Sequence, residues 1–100
     1  MTAEADPDGF EATTLLALAD VAGSRVLEVG SGDGRLTWRY ADLTARVTAI
    51  EPYEPAHQRA VAQRPDDLAD RVTLQNITLD DLAASTPPSS FDIAVLSWSL

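Results

Sequence analysis

The chain has 100 residues, 45% of them hydrophobic, which is enough for one modest globular core. Its formal net charge of −9 repels phosphates, so the composition disfavours nucleic acid as a partner. There is no cysteine and only one histidine, His57, which excludes disulfides, thiolate metal sites and histidine clusters, and we predict no metal site.

Residues 1–9 are polar and acidic, and we expect them to form a loose lead-in to a single domain of residues 10–100. They lack the apolar stretch of a signal peptide. No run elsewhere approaches the ~20 apolar residues of a membrane span. We therefore expect a cytoplasmic protein with no membrane partner. The sequence does not predict its oligomeric state.

Apolar spacing and the positions of glycine and proline predict an alternation of helices and strands. The predicted elements, in chain order, are a helix at Phe10–Ala22, a strand at Arg25–Val29, a helix at 34–43, a strand at Val47–Glu51, a helix at Pro55–Arg64, a strand at Val72–Ile77, a short helix at Asp80–Ala84 and a strand at Phe91–Leu96. The residues predicted to pack inward from the middle helices are Leu36, Tyr40, Leu43, Ala56, Ala60 and Val61. Such alternation predicts an open α/β fold with a parallel sheet and right-handed crossovers.

The stretch VLEVGSGDGR, at Val26–Arg35, places three glycines directly after the first strand. In open α/β sheets, ligands bind beyond the carboxyl ends of the strands. Gly30 and Gly32 can adopt positive φ or admit a ligand against bare backbone. Free amides where the next helix starts attract an anionic group, so a dinucleotide pyrophosphate and an amino-acid carboxylate fit equally well.

Two details favour the amino acid over the dinucleotide. The dinucleotide pattern G-x-G-x-x-G requires a glycine where Arg35 stands, and Arg35 would impair helix–strand packing. Glu28, inside the apolar strand, would repel a pyrophosphate but attract an ammonium group. Glu51 follows about 20 residues later, where an acid typically binds ribose hydroxyls. An amino acid joined to a ribose describes S-adenosylmethionine.

The segments LEVGSGDGRL, IEP and FDIAVLSWSL resemble three successive motifs of the class I S-adenosylmethionine-dependent methyltransferases, nearest to the small-molecule type. The resemblance covers nearly the whole chain from Arg25. It implies a Rossmann-like sheet with strand order 3-2-1-4 and helices on both faces. It also implies that the chain is the N-terminal part of a domain that continues with about three further strands. Because the last strand would then be an exposed apolar edge, we expect residues 1–100 alone to self-associate and to lack methyl transfer.

The resemblance also implies roles for individual residues. Its implied cofactor contacts are Glu28 with the methionine amino group, Gly30, Ser31 and Gly32 with the methionine and ribose, Glu51 with the ribose hydroxyls, Pro52 and Tyr53 with the adenosine, Thr78 and Leu79 with the adenine, and Ser97 with the reacting centre. Thr78 stands where relatives often carry an acid. Either Thr78 replaces that acid, a backbone contact suffices, or the register slips by two towards Asp80 and Asp81.

The sequence thus predicts a methyltransferase that acts on a small-molecule acceptor, with no identifiable catalytic residue. A non-catalytic cofactor-binding or interaction module is the alternative, and a nicotinamide oxidoreductase is disfavoured by Glu28 and the glycine spacing. His57 lies in a solvated-looking helix and is a weak candidate for a base. Residues interpreted as structural are Trp38 and Trp98 for packing and Asp66, Asp67 and Asp70 for a solvated face. Ser97 lacks the partners of a serine nucleophile.

Overall fold

The computed structural model describes residues 21–97. Its strands are β1 (Arg25–Val29), β2 (Arg46–Ile50), β3 (Val72–Gln75) and β4 (Ile93–Leu96), and its helices are α1 (Arg35–Tyr40), α2 (Glu54–Gln63) and α3 (Leu79–Ser85). Short 3-10 turns lie at Ala41–Leu43, Asp66–Leu68 and Pro88–Ser90. All elements predicted within this range are present, with bounds shifted by a few residues. Three predicted features lie outside the described residues: the lead-in, all but the end of the helix at Phe10–Ala22, and Trp98.

The four strands form one parallel sheet in the order β3-β2-β1-β4, which confirms the predicted order. The chain moves outward from β1 through β2 to β3, then returns to the other side of β1 as β4. This reversal opens a crevice beyond the carboxyl ends of β1 and β4, where open α/β sheets bind ligands.

Each face of the sheet has its own apolar core, and helices cover both faces as predicted. The larger cluster consists of Val21, Val26, Tyr40, Ala41, Val47, Ala49, Leu68, Val72 and Val95. The smaller consists of Leu27, Ile50 and Leu82, with Val29, Ile77 and Phe91 packed against it. Tyr40 brings α1 to the first face and Leu82 brings α3 to the second. Right-handed crossovers place α1 and α3 on opposite faces, because the connection from β1 to β2 and the connection from β3 to β4 run in opposite directions across the sheet.

Two residues predicted to pack inward are instead exposed. Leu43 is 47% exposed because α1 ends at Tyr40 and continues as a 3-10 turn, whose tighter winding rotates Leu43 off the helical stripe. Val61 is 49% exposed, whereas Ala56 and Ala60 are buried. Ala56 and Ala60 lie one above the other on α2, and the next position points about 100° away from that narrow stripe.

A charged pair joins the starts of β1 and β4. The Arg25 guanidinium donates to both carboxylate oxygens of Asp92, at 2.9 and 3.1 Å, and the Arg25 amide donates to Asp92 at 2.9 Å. The Asp92 amide donates back to the Arg25 carbonyl at 2.8 Å. These bonds lower the pKa of Asp92 to about 2. They also set the register that places Ser97, just after β4, beside the end of β1.

Candidate functional site

Ser97 and the glycine loop approach each other closely at the mouth of the crevice. Gly30 has φ +77°, and a Cβ atom there would lie 2.6 Å from the Ser97 carbonyl oxygen. The Ser97 amide donates to the Val29 carbonyl at 2.9 Å, so this approach is held by the sheet itself. Only glycine permits it, because a side chain would both strain the backbone and collide with main-chain atoms.

The glycine at the start of α1 serves packing. Gly34 has φ +90° and forms the N-cap of α1. A Cβ atom there would collide with the Trp38 ring, which packs against the larger core. Trp38 is therefore a packing residue, as predicted, and it reaches the core by covering the bare backbone of Gly34.

Glu51 links the loop after β1 to the loop after β2. The residue is only 8% exposed; one carboxylate oxygen accepts from the Gly32 amide at 2.7 Å and the other from the Tyr53 amide at 2.9 Å. Hydrogen bonds from amides to a carboxylate are among the stronger kinds. Each carboxylate oxygen has further acceptor capacity, so Glu51 is oriented by the protein and can still accept from hydroxyl groups.

Glu28 lies beneath the loop and is fully buried. One oxygen, Oε1, accepts from the Thr37 hydroxyl at 2.7 Å and from the Tyr40 hydroxyl at 2.5 Å. The other, Oε2, has no hydrogen-bond partner among the described residues. Burial raises the pKa of Glu28, although Tyr40, Thr37 and Ser97 oppose this by stabilising the carboxylate. Only one of the two carboxylate oxygens of this predicted buried acid thus has hydrogen-bond donors.

Much of the loop backbone is already hydrogen-bonded. The Gly30 and Ser31 amides lie 3.0 and 3.2 Å from the Ile50 carbonyl oxygen, the Gly34 amide donates to the Ser31 carbonyl at 3.1 Å, and Glu51 accepts from the Gly32 amide. The expectation of free amides concerned the start of α1, and it is wrong for Gly34, whose amide is paired, and for Arg35, whose amide donates to Asp33 at 3.2 Å. What the loop offers a ligand is bare glycine surface flanked by two carboxylates.

The predicted adenine side consists of exposed residues. Tyr53 is 62% exposed and Leu79 is 47% exposed, and Pro52 is also exposed. Thr78 is the N-cap of α3, and its side-chain oxygen accepts from the Asp81 amide at 3.1 Å. This cap explains why a threonine stands here, since a hydroxyl oxygen satisfies an otherwise unpaired helix amide.

Hydrogen bonds and close contacts thus join Gly30, Ser31, Gly32, Glu51 and Ser97 around the crevice, with Glu28 beneath it. No such contact among the described residues joins Thr78 or Leu79 to that group. Sequence reasoning missed three residues that complete the site: Thr37, Tyr40 and Asn76. The Asn76 amide group donates to the Glu51 and Pro52 carbonyls at 2.9 and 3.1 Å. A threonine and a tyrosine at helical spacing opposite a buried acid were a usable signal, whereas Asn76 had none.

Other candidates stand apart from the site. His57 is half-buried on α2, and Asp66, Asp67 and Asp70 are exposed, as a solvated face requires. Within residues 21–97, no group of three or more histidine or acidic side chains could hold a metal ion. No helix in that range combines the length and apolarity needed to cross a membrane.

The family described as methyltransferase domain matches residues 26–100. The chain belongs to this methyltransferase family. The match runs from β1 to the end of the chain and includes the glycine loop, Glu28, Glu51 and Ser97. The family indicates S-adenosylmethionine as the cofactor. Among curated proteins, none matches.

Solved structures of methyltransferases are similar to the chain. An S-adenosylmethionine-dependent methyltransferase from Mesorhizobium loti is 27% identical with a TM-score of 0.70, over 90% of this chain and 39% of that one. The tRNA (m1A58) methyltransferase from Aquifex aeolicus is 25% identical with a TM-score of 0.71, over 95% and 38%. A methyltransferase from Thiobacillus denitrificans in complex with S-adenosyl-L-homocysteine is 29% identical with a TM-score of 0.56, over 94% and 37%. The chain therefore spans about two fifths of the length of these structures.

Proposed function

We propose that the chain binds S-adenosylmethionine in the crevice between β1 and β4 and is the cofactor-binding part of a methyltransferase. One observation carries this proposal. Glu51, oriented by two backbone amides at the mouth, and Glu28, with an unpartnered oxygen beneath the loop, flank the same bare glycine backbone. This pairing suits a ligand that has hydroxyl groups at one end and an ammonium group at the other.

The residues present fit that cofactor on structural grounds. Glu51 has acceptor capacity left for two ribose hydroxyls. Glu28 has a buried oxygen that lacks a donor, and an ammonium group or a water bound to it would supply one. Gly30 lets the backbone at Ser97 approach the loop, because a Cβ atom there would lie 2.6 Å from the Ser97 carbonyl oxygen, and this approach shapes the crevice in which the cofactor would lie.

When bound, S-adenosylmethionine supplies an activated methyl group on a sulfonium, so the protein has mainly to align the acceptor and exclude water. Glu51 and Glu28 would hold the two ends of the cofactor. Ser97, buried at the end of β4 and against Gly30, would border the reacting centre. No base is assigned, because His57 lies on α2 outside the group of contacts around the crevice.

For the acceptor we propose a small molecule, on the basis of the acidic net charge of −9. The similarity to a tRNA methyltransferase gives RNA as the competing class. Transfer of labelled methyl groups to a metabolite extract, compared with transfer to total tRNA, separates the two. Labelling of tRNA alone would overturn the small-molecule proposal. The cytoplasmic location stays a prediction.

Calorimetric titration of the protein with S-adenosylhomocysteine and with NAD tests the cofactor proposal. We expect binding of S-adenosylhomocysteine and none of NAD at matched concentrations. Binding of NAD without any response to S-adenosylhomocysteine would contradict it. Because residues 1–100 alone are expected to lack methyl transfer, transfer is tested in the full-length protein, where binding without transfer to any acceptor would favour the alternative, a non-catalytic cofactor-binding module.

A further inference from the structure

The buried group beneath the glycine loop contains more than the acid that the sequence singles out. Thr37 and Tyr40 both donate to the same oxygen of Glu28, at 2.7 and 2.5 Å. They lie three residues apart and therefore on one face of α1, directly above β1. Both are almost completely inaccessible, at 0% and 1% exposure. No water competes for these bonds, so they hold the carboxylate in one orientation.

The bonds also connect the two ends of the loop. Glu28 lies in β1 before the loop, while Thr37 and Tyr40 lie in α1 after it. The carboxylate thus fixes the first turns of α1 against the strand from which the loop departs. A loop with both ends fixed keeps its glycines facing the crevice.

The remaining oxygen, Oε2, is a buried acceptor without a donor. Ser97 also favours the ionised form of Glu28, but among the described residues Oε2 has no hydrogen-bond partner. On the neighbouring strands, the register partners of Glu28 are Ala49 and Val95, which have no polar side-chain atoms. A buried acceptor in such surroundings costs free energy until a donor reaches it.

We propose that Thr37 and Tyr40 are positioning residues for the cofactor site: they occupy one oxygen of Glu28 and so leave the other free for a cationic donor from the crevice. This inference rests on the proposed function, which supplies the ammonium group. Neither residue contacts the ligand; both act through Glu28.

The arrangement gives cofactor binding a pH dependence of defined sign. Burial raises the pKa of Glu28, and a cationic donor favours its ionised form, so affinity falls as the pH falls through that pKa. Loss of either hydroxyl removes a stabiliser of the carboxylate and shifts the fall in affinity to higher pH. Among described residues, the groups facing Glu28 are Thr37 and Tyr40 from α1 and Ser97 after β4. Burial also raises the pKa of Tyr40, which therefore remains a donor throughout.

The test is calorimetric titration with S-adenosylhomocysteine from pH 5 to 9 for the wild type, Tyr40→Phe and Thr37→Val. We expect the two variants to bind about tenfold more weakly at neutral pH, with the midpoint of the affinity–pH curve moved upward. Thr37→Ser, which keeps the hydroxyl, should have the affinity and the midpoint of the wild type. Thr44→Val is the matched control: its buried hydroxyl bonds the Ala41 carbonyl at 2.7 Å and does not touch Glu28.

Carboxyl NMR of the ligand-free protein gives a second readout, in which Tyr40→Phe should raise the pKa of Glu28. If Tyr40→Phe fails to fold, Thr37→Val and Thr37→Ser decide the matter. If the wild type binds but the Thr37 and Tyr40 variants keep its midpoint, the positioning role alone is overturned. The same holds if these variants lose no more affinity than Thr44→Val does. Absence of wild-type binding at every pH would overturn the proposed function as well.

Discussion

The two sides of the predicted cofactor site, the glycine loop after β1 and the segment after β3, differ in how much of their hydrogen bonding exists before a ligand arrives. On the glycine-loop side, Glu51 is held by two backbone amides, and Glu28 by two hydroxyls. On the side after β3, Thr78 is exposed and its hydroxyl caps α3. The loop side is therefore oriented in advance, whereas the other side offers exposed surface. Pre-orientation reduces the entropic cost of binding, so we expect the loop side to supply most of the affinity.

The largest expected effect comes from adding a side chain at Gly30, where the glycine loop lies against Ser97. Gly30→Ala should destabilise the protein by about 3 kcal/mol, because the new Cβ meets the Ser97 carbonyl and the backbone has positive φ. Gly23→Ala is the control: Gly23 has φ +70° but no atom within 4 Å of its Cβ position, so about 1 kcal/mol is expected. Urea unfolding measures both, and equal losses would show that Ser97 does not crowd Gly30.

The next effect concerns Glu51, the acid proposed to bind the ribose hydroxyls. Glu51→Ala should weaken binding of S-adenosylhomocysteine by about 1.5–3 kcal/mol, because charge-assisted contacts are lost. His57→Ala should leave affinity nearly unchanged. Glu51→Gln should behave like Glu51→Ala, since its amide group would face a backbone amide donor. Calorimetry compares the three, and similar losses for Glu51→Ala and His57→Ala would place the pocket elsewhere.

In the segment after β3, Thr78→Ala should cost about 1 kcal/mol of stability through loss of the helix cap. Thr78→Ser should retain the cap. If the cap is the only role of Thr78, cofactor affinity stays constant in both variants when binding is measured well below the unfolding temperature. A loss of affinity in Thr78→Ala that Thr78→Ser restores would instead make the hydroxyl an adenine contact.

The smallest effect is expected far from the crevice. The folded pKa of Asp92, about 2, lies below the ordinary value of 3.8. Its pairing with Arg25 therefore stabilises the fold above that ordinary value, and the contribution is lost as the pH falls towards 2. Asp92→Asn should lose this contribution, so its stability should be slightly below that of the wild type at pH 7 and equal to it near pH 2; the difference is small because the pair is solvent-exposed. Thermal melts between pH 2 and 7 measure it; a large loss at pH 7 would contradict this assignment.

The elements were predictable where apolar runs are short and bounded by glycine or proline. Arg25–Val29 is such a run, and the structure starts and ends β1 at those residues. The strand order came from the family resemblance, since periodicity does not specify which strands are neighbours. Leu43 and Val61 were misplaced because burial on a short helix depends on its exact rotation and on where it changes to a 3-10 turn.

Parts of the site followed from the sequence because they depend on position along a strand. Glu28 had to be buried within an apolar strand, and Glu51 had to stand at the end of the next one. Their partners were not predictable to the same degree. Thr37 and Tyr40 reach Glu28 through the docking of α1, and Thr78 is used by its own helix. Such hydrogen bonds depend on three-dimensional packing that single-sequence patterns do not determine.

The most direct test is a crystal structure of the protein with S-adenosylhomocysteine. We predict that both ribose hydroxyls lie within about 3.2 Å of the Glu51 carboxylate, that the Gly32 and Tyr53 amides keep their bonds to it, and that the homocysteine ammonium or a bridging water reaches Glu28 Oε2. A Glu51 side chain that has left both amides, or a ligand seated away from the glycine loop, would contradict the account of a site oriented before the cofactor binds.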